Sequence, residues 1–221
     1  MEFQERSYNA KWIRPRPRIY LDPSGDFVLI LTLWGDLEQA DVIFDQVKQH
    51  LQSVREDREL TTPFQNILTL SDEANNLRVA TLITNDLIYR NLNNEKYSVV
   101  AETCYISIKK QNVAWCQMGG PHLFMRKKND RPQPISCFPE SKKTLESFPL
   151  PNYFMGAEPT ISPRCGDLYL ESGDEIILLS SSTVPAEIWN LNESATVEAW
   201  TDALVKSHEG QPFWLGRLKL D

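Results

Sequence analysis

The apolar residues of this chain recur with two different periods, and their order along the chain predicts a mixed fold. Two stretches show the 3.6-residue period of an amphipathic helix, and a third helical stretch in one or two pieces follows later. Short runs with period two, or with continuous apolar residues, predict β-strands. The predicted helices are 36–57, 71–89 and 184–210, and the predicted strands are 19–21, 27–33, 98–108, 113–118, 122–126, 176–180 and 211–220.

Strands and helices come in runs instead of alternating one by one, which indicates an α+β fold with two antiparallel sheets and helices outside them. Polar residues at the helix starts support the assignment, because Asp36 and Ser71 are good N-caps. The strand 27–33 is apolar at nearly every position, so we expect both of its faces to be covered. We expect it to share a core with the equally apolar strand 176–180. The stretches 19–33 and 166–182 are predicted to be hairpins.

Two basic stretches fall outside the predicted helices. The sequence "RPRPR" (14–18) follows a polar start, and its alternating prolines predict an extended basic arm over residues 1–18. The sequence "MRKKNDR" (125–131) is predicted to be an exposed turn, with a phosphate-contacting loop as the alternative.

Length and composition limit the classes of function. A chain of 221 residues suits one domain, so we expect a single domain over 1–221. A net charge of −7 argues against general binding to nucleic acid or to anionic membranes. The start of the sequence lacks the apolar core of a signal peptide, and the four cysteines lack metal-ligand spacing, so we expect free thiols in the cytoplasm.

A strand that ends in Ser180, Ser181 and Ser182 raises the question of a nucleophile. The chain has no GxSxG elbow, and its only histidines are His50, His122 and His208. We therefore interpret the serines as small residues that close a strand, and we assign no catalytic residue.

Four stretches, in order, resemble the PP2C-type (PPM) metal-dependent serine/threonine phosphatases. A strand leads to glycine and a helix in "FVLILTLWGDLEQAD", as at the family's Asp-Gly-Met-Gly-Gly motif. The stretch "VAWCQMGGPHLFM" stands where the family has Gly-Asp-Ser-Arg. The stretch "MGAEPTISPRCGDLYLESGDEIILLSSST" has the same order of loop, Gly-Asp turn and apolar strand as the family segment that ends in Ser-Asp-Gly. The stretch "EGQPFWLGRLKL" resembles the family's last strand. The resemblance implies a four-layer αββα sandwich, in which two antiparallel sheets are flanked by helices.

The resemblance also implies that the family's metal ligands have been lost. Family members bind two divalent metals through carboxylates, and the metals activate a water. In this sequence no carboxylate stands at the matching positions, so we expect no bound metal and no cofactor. Those positions, which would form a vestigial cleft, are Arg18, Leu31, Thr32, Ser182, Thr183, Gly210 and Gln211.

The first hypothesis from this resemblance is a pseudophosphatase that binds a protein partner, such as a kinase or a phosphoprotein. Arg14, Arg16 and Arg18 would then bind an anion through their guanidinium groups. The second is an active phosphatase that holds Mn²⁺ or Mg²⁺ through rearranged ligands, drawn from Asp22, Asp26, Asp36 or Asp167. The third is a structural subunit of a larger assembly. The oligomeric state stays open.

Overall fold

The computed structural model describes residues 1–9, 13–56, 64–137, 153–207 and 210–220. The helices in these ranges are α1 (Ala40–Glu56), α2 (Asp72–Leu87) and α3 (Val197–Ser207). The strands are β1 (Glu2–Tyr8), β2 (Arg18–Leu21), β3 (Phe27–Gly35), β4 (Val99–Lys109), β5 (Asn112–Met118), β6 (His122–Arg126), β7 (Gln133–Ser136), β8 (Arg164–Tyr169), β9 (Glu175–Ser180) and β10 (Phe213–Lys219).

The strands form two five-stranded sheets in which every pairing is antiparallel. One sheet has the order β1-β10-β9-β6-β7, and the other has the order β2-β3-β4-β5-β8. Short 3₁₀ turns at Leu37–Gln39 and Ala186–Asn190 and a π-helical turn at Ile88–Leu92 complete the regular elements. The predicted α+β class with two antiparallel sheets and helices is confirmed.

The chain contains two compact units, each built on one sheet, and the single domain over 1–221 stays a prediction. The first unit comprises Met1–Arg16, Gly119–Asn152 and Leu170–Asp221, and the second comprises Pro17–Met118 and Tyr153–Tyr169. The apolar strands β3 and β9 are both buried, as predicted. In β3, Leu29 and Leu31 pack in the apolar cluster of the second unit, and in β9, Ile177 and Leu179 pack in that of the first. A core shared by the two strands stays a prediction.

The second unit is organised around β3, whose side chains alternate between two buried faces. Phe27, Leu29, Leu31 and Leu33 pack with the apolar sides of α1 and α2, while Val28 and Ile30 are buried on the other face. The predicted caps are in place: Ser71 Oγ accepts the Ala74 N–H at 3.1 Å, and Asp36 accepts the Glu38 N–H at 3.0 Å. No helix among the described residues is long and apolar enough to cross a membrane.

The structure corrects two predictions of local pairing. Part of the predicted extended arm is a true strand, because β1 pairs along its whole length with β10. The stretch 166–182 is not a hairpin, since β8 pairs with β5 in one sheet while β9 pairs with β6 and β10 in the other. Turn residues between two strands indicate a reversal but not the partner that each strand finds, and here the turn at 171–174 joins two sheets.

A buried ion cluster in the first unit was not anticipated. Arg126, predicted to lie in an exposed turn, is 1% exposed and binds the Glu175 carboxylate, which also accepts from Arg217. Both guanidinium groups lie over the ring of Trp200, at 4.7 and 4.6 Å from its centroid. Further donors of the two arginines bind the backbone carbonyls of Leu191, Glu193 and Ala195. The cluster therefore ties α3 and the segment before it to the sheet.

We predict that Glu175→Gln destabilises the protein by about 3–5 kcal/mol, because it leaves two buried guanidinium groups without a counter-charge. The measurement is the urea-induced unfolding free energy at neutral pH. The matched control is Glu198→Gln, which removes a carboxylate that pairs with Arg6 at the surface. The control should leave the unfolding midpoint unchanged. An equal effect of the two substitutions would contradict a stabilising role for the buried cluster.

Candidate functional site

The first unit has a polar site at the end of β9, where the apolar strand gives way to serines. Ser180 pairs with Trp214 of β10 and is fully buried, and Ser181 and Ser182 in the following bend are almost as buried. Small hydroxyl side chains satisfy backbone groups in such a bend: Ser181 Oγ donates to the carbonyl of Thr183 at 2.5 Å.

Arg14 is the arm arginine that reaches this strand end. Its Nε donates to Ser180 Oγ at 3.0 Å, and the residue is only 5% exposed. The other two arginines expected to bind an anion lie elsewhere. Arg16 pairs with Glu5 at 2.5 Å and Arg18 pairs with Asp41 at 3.4 Å, and both side chains are more than half exposed. The structure thus separates one buried arginine from two surface ion pairs.

His122 lies beside the same serines. Its Nε2 is 3.0 Å from the carbonyl oxygen of Ser181, and since a carbonyl can only accept, Nε2 carries the proton. The pKa of His122 is lowered to about 4, mainly by burial and to a smaller extent by the nearby charge of Arg14, while the hydrogen bond to Ser181 acts in the opposite direction. The imidazole is therefore neutral at pH 7.

The contacts of the serines explain why they are not arranged as nucleophiles. Ser180 accepts from a guanidinium, and the Ser181 hydroxyl donates to a backbone carbonyl. His122 Nε2 meets the carbonyl of Ser181 and not its hydroxyl. Of the other two histidines, His50 is buried on α1 in the second unit, and His208 lies outside the described residues. The geometry supports the interpretation of these serines as strand-closing residues.

The predicted cleft positions fall in both units. In the second, Arg18 of β2 lies opposite Leu31 of β3, so the sheet register brings these two positions together. Leu31, however, packs in the core on the helix side of the sheet. Its neighbour Thr32 points to the opposite face, where it is fully buried and lies opposite Glu102 of β4. Thr32, and not Leu31, is therefore the polar position at this point of β3.

The remaining cleft positions, Ser182, Thr183, Gly210 and Gln211, lie in the first unit, after β9 and before β10. Gly210 has φ +90°, a conformation that L side chains rarely adopt, so glycine suits this turn for a backbone reason. Together the cleft positions offer hydroxyls, an amide, an apolar side chain and a guanidinium. This donor set does not fit a pair of hard divalent metals, which require several carboxylates.

The aspartates proposed as rearranged ligands are engaged in local structure in the second unit. Asp26 pairs with Arg55 at 3.1 Å, Asp36 caps the turn before α1, and Asp167 accepts from the backbone N–H of Ser71 at 3.1 Å. Asp22 accepts from the hydroxyl of Ser24. In the described part of the chain, no three His, Cys, Asp or Glu residues are grouped so that they could hold a metal ion.

We predict that His122 makes stability depend on pH below neutrality. Its pKa is lower in the folded state than in the unfolded state, so the unfolded state takes up the proton first. The unfolding free energy should fall as pH drops from about 6.5 to about 4, by up to about 3 kcal/mol. The measurement is the difference between wild type and His122→Asn across this range. A His122 imidazole that titrates near pH 6.5 by NMR would contradict it.

Comparisons with known proteins identify the fold. No protein-family profile matches the sequence, and no curated protein is significantly similar to it. Solved structures are similar over the complete chain. The PPM serine/threonine phosphatase MsPP from Mycobacterium smegmatis, in complex with cacodylate, has a TM-score of 0.68 at 11% identity, with 100% of this chain and 99% of that chain covered.

Two structures of the phosphatase PstP are also similar to this chain. The serine/threonine phosphatase PstP/Ppp from Mycobacterium tuberculosis has a TM-score of 0.67 at 13% identity, covering 100% of this chain and 98% of that one. The catalytic domain of PstP in complex with two manganese ions has a TM-score of 0.61 at 14% identity, with the same coverage. The chain therefore has the fold of the PP2C-type (PPM) serine/threonine phosphatases.

Proposed function

We propose that this protein is a pseudophosphatase: it keeps the phosphatase fold, does not hydrolyse phosphoesters, and binds a phosphorylated protein partner. The single observation that carries the proposal is that negative charge is missing at the positions expected for the family's ligands, while a positive charge is buried nearby in the first unit. Hydroxyls, an amide and a leucine stand where the family's carboxylates are expected, and a buried arginine, Arg14, lies at the end of β9.

The missing carboxylates argue against the family's reaction. The metal pair in such enzymes makes a bound water nucleophilic at neutral pH, and neutral hydroxyls cannot offset the cost of removing two divalent ions from water. Without that water, a bound phosphoester stays intact, so recognition would replace turnover.

Arg14 supports recognition of an anion. A guanidinium presents five donors in a planar fork that suits phosphate. The bond from Nε to Ser180 fixes the orientation of that plane, and burial strengthens its field because little water screens it. His122 is neutral and adds no competing charge. Arg16 and Arg18 are more than half exposed, so water screens their charge and they are weaker candidates for this role.

The partner in this proposal is a kinase or a phosphoprotein of the cytoplasm, where the free thiols of the chain would stay reduced. An active phosphatase is the alternative, favoured by the likeness to phosphatases over the complete chain. The two functions differ in their need for metal, which gives a direct test.

We expect purified protein to bind neither Mn²⁺ nor Mg²⁺ in stoichiometric amounts. After exposure to millimolar metal and desalting, elemental analysis should find no retained ion. The melting temperature should not rise with metal, because only a ligand of the native state stabilises it. Hydrolysis of p-nitrophenyl phosphate should stay at the buffer level. Two ions per chain, with metal-dependent turnover, would establish the active phosphatase instead.

We expect Arg14 to dominate binding of inorganic phosphate, the simplest probe of the anion site. Arg14→Lys keeps the charge but loses the planar fork, and it should weaken phosphate binding about tenfold by calorimetry, which corresponds to about 1.4 kcal/mol. Circular dichroism confirms that the variant is folded.

The matched control is Arg16→Ala, which removes a surface guanidinium two residues along the chain from the buried one and should leave phosphate affinity unchanged. A loss confined to Arg16→Ala or to Arg18→Ala would move the anion site to the surface arginines. No phosphate binding by the wild type would refute recognition of a phosphorylated partner through this site.

A further inference from the structure

Two of the four cysteines face each other in the second unit. Cys116 of β5 and Cys165 of β8 are directly opposite in the antiparallel register, and their Sγ atoms are 3.1 Å apart. Both are free thiols. Their positions in the sequence, 49 residues apart, give no indication of this pairing.

The surroundings give the two thiols different access to solvent. Cys116 is fully buried, with Thr81 Oγ1 of α2 at 3.2 Å from its Sγ. Cys165 is only partly buried, and its strand β8 lies at the edge of the sheet with β5 as its single neighbour. A solute that approaches this edge meets Cys165 first.

The other two cysteines lack these features. Cys104 is fully buried in β4, and burial raises its pKa to about 12. Cys137 lies in the first unit, after β7. We therefore expect an oxidation that joins two thiols of one chain to link Cys116 and Cys165.

We propose that Cys116 and Cys165 form an oxidation-responsive site, in which a hydroperoxide converts the opposed thiols to a disulfide that links β8 to β5. The inference is independent of the proposed phosphate binding. Residues directly opposite in an antiparallel sheet have Cα atoms about 4.5–5.5 Å apart, which is within the range that disulfides span. The sulfurs need to approach by only about 1 Å to reach bonding distance.

The reaction requires one hydroperoxide for each disulfide. The Cys165 thiolate attacks the terminal peroxide oxygen, so that the S–O bond forms and the O–O bond breaks, and the other oxygen leaves after protonation as water from hydrogen peroxide or as the alcohol from an organic hydroperoxide. The Cys116 sulfur then attacks the sulfenic sulfur of Cys165, the S–S bond forms, and the oxygen leaves as a second water. The two thiols lose two electrons together, and the peroxide gains them. Burial raises the pKa of the Cys116 thiol well above its ordinary value, which assigns the first attack to Cys165.

The bond would fasten the edge strand to the sheet. A cross-link over 49 residues restricts the unfolded chain, and this raises the stability of the folded state. We expect the melting temperature to rise by about 5 °C or more on oxidation and to return to its initial value with dithiothreitol.

The test treats the reduced full-length protein with one to five equivalents of hydrogen peroxide. The expected result is a loss of about 2 Da by intact mass, two fewer titratable thiols, and a proteolytic peptide pair joined through Cys116 and Cys165. A wild-type protein in which Cys165 advances to the sulfinic acid, or in which Cys137 is oxidised first, would overturn the proposal. This readout needs no variant, so it does not depend on the folding of a mutant.

Matched variants add specificity. Cys104→Ala removes a buried thiol outside the pair and should form the disulfide as the wild type does. Cys165→Ser should lose both the mass change and the rise in melting temperature. A rise in melting temperature that persists in Cys165→Ser would assign the effect to other residues and contradict the inference.

Discussion

The first unit depends on a carboxylate that is almost completely removed from water. Glu175 begins β9 between the guanidinium groups of Arg126 and Arg217, and Trp200 of α3 covers both. A single buried charge in this place would be very unfavourable, and the cluster is tolerated because each partner satisfies the others. Because the arginines also hold the backbone ahead of α3, the ion cluster couples the helix to three adjacent strands of the sheet.

The same strand carries the candidate site at its other end. Between Glu175 and Ser180, β9 is continuously apolar and buried, so its position is set by packing on both faces. This rigid strand presents Ser180 to Arg14, and it presents the Ser181 carbonyl to His122. A strand fixed by a buried ion cluster at one end therefore contacts a further buried cation, Arg14, at the other.

The fold of this protein and the loss of chemistry proposed for it depend on different side chains. The backbone superposes on phosphatases over the complete chain, although identity is only 11–14% for the three structures compared. Burial patterns preserve such a fold, because many apolar residues of suitable size fill the same core. Metal binding is less tolerant in general, since hard divalent ions require several carboxylate ligands at defined positions. Function therefore has to be argued from the site and not from the fold.

Local patterns in the sequence were enough to predict the elements and the fold class, because amphipathic period, helix caps and turn residues depend only on near neighbours along the chain. The sequence located β3, β9 and the cap at Ser71 correctly. It also predicts a loss of the family's carboxylates from residue type at motif positions, and this stays a prediction.

Tertiary structure alone decided the partnerships. The sequence predicted that Arg126 is exposed and that residues of β1 belong to an extended arm, whereas Arg126 is buried and β1 pairs with β10. Cys116 and Cys165, which are far apart in sequence, are opposite each other in the sheet. It also decided that Arg14 is buried while Arg16 and Arg18 pair at the surface. The physical reason is that burial and pairing of charges depend on residues that are distant along the chain, and no local period records which of them will meet.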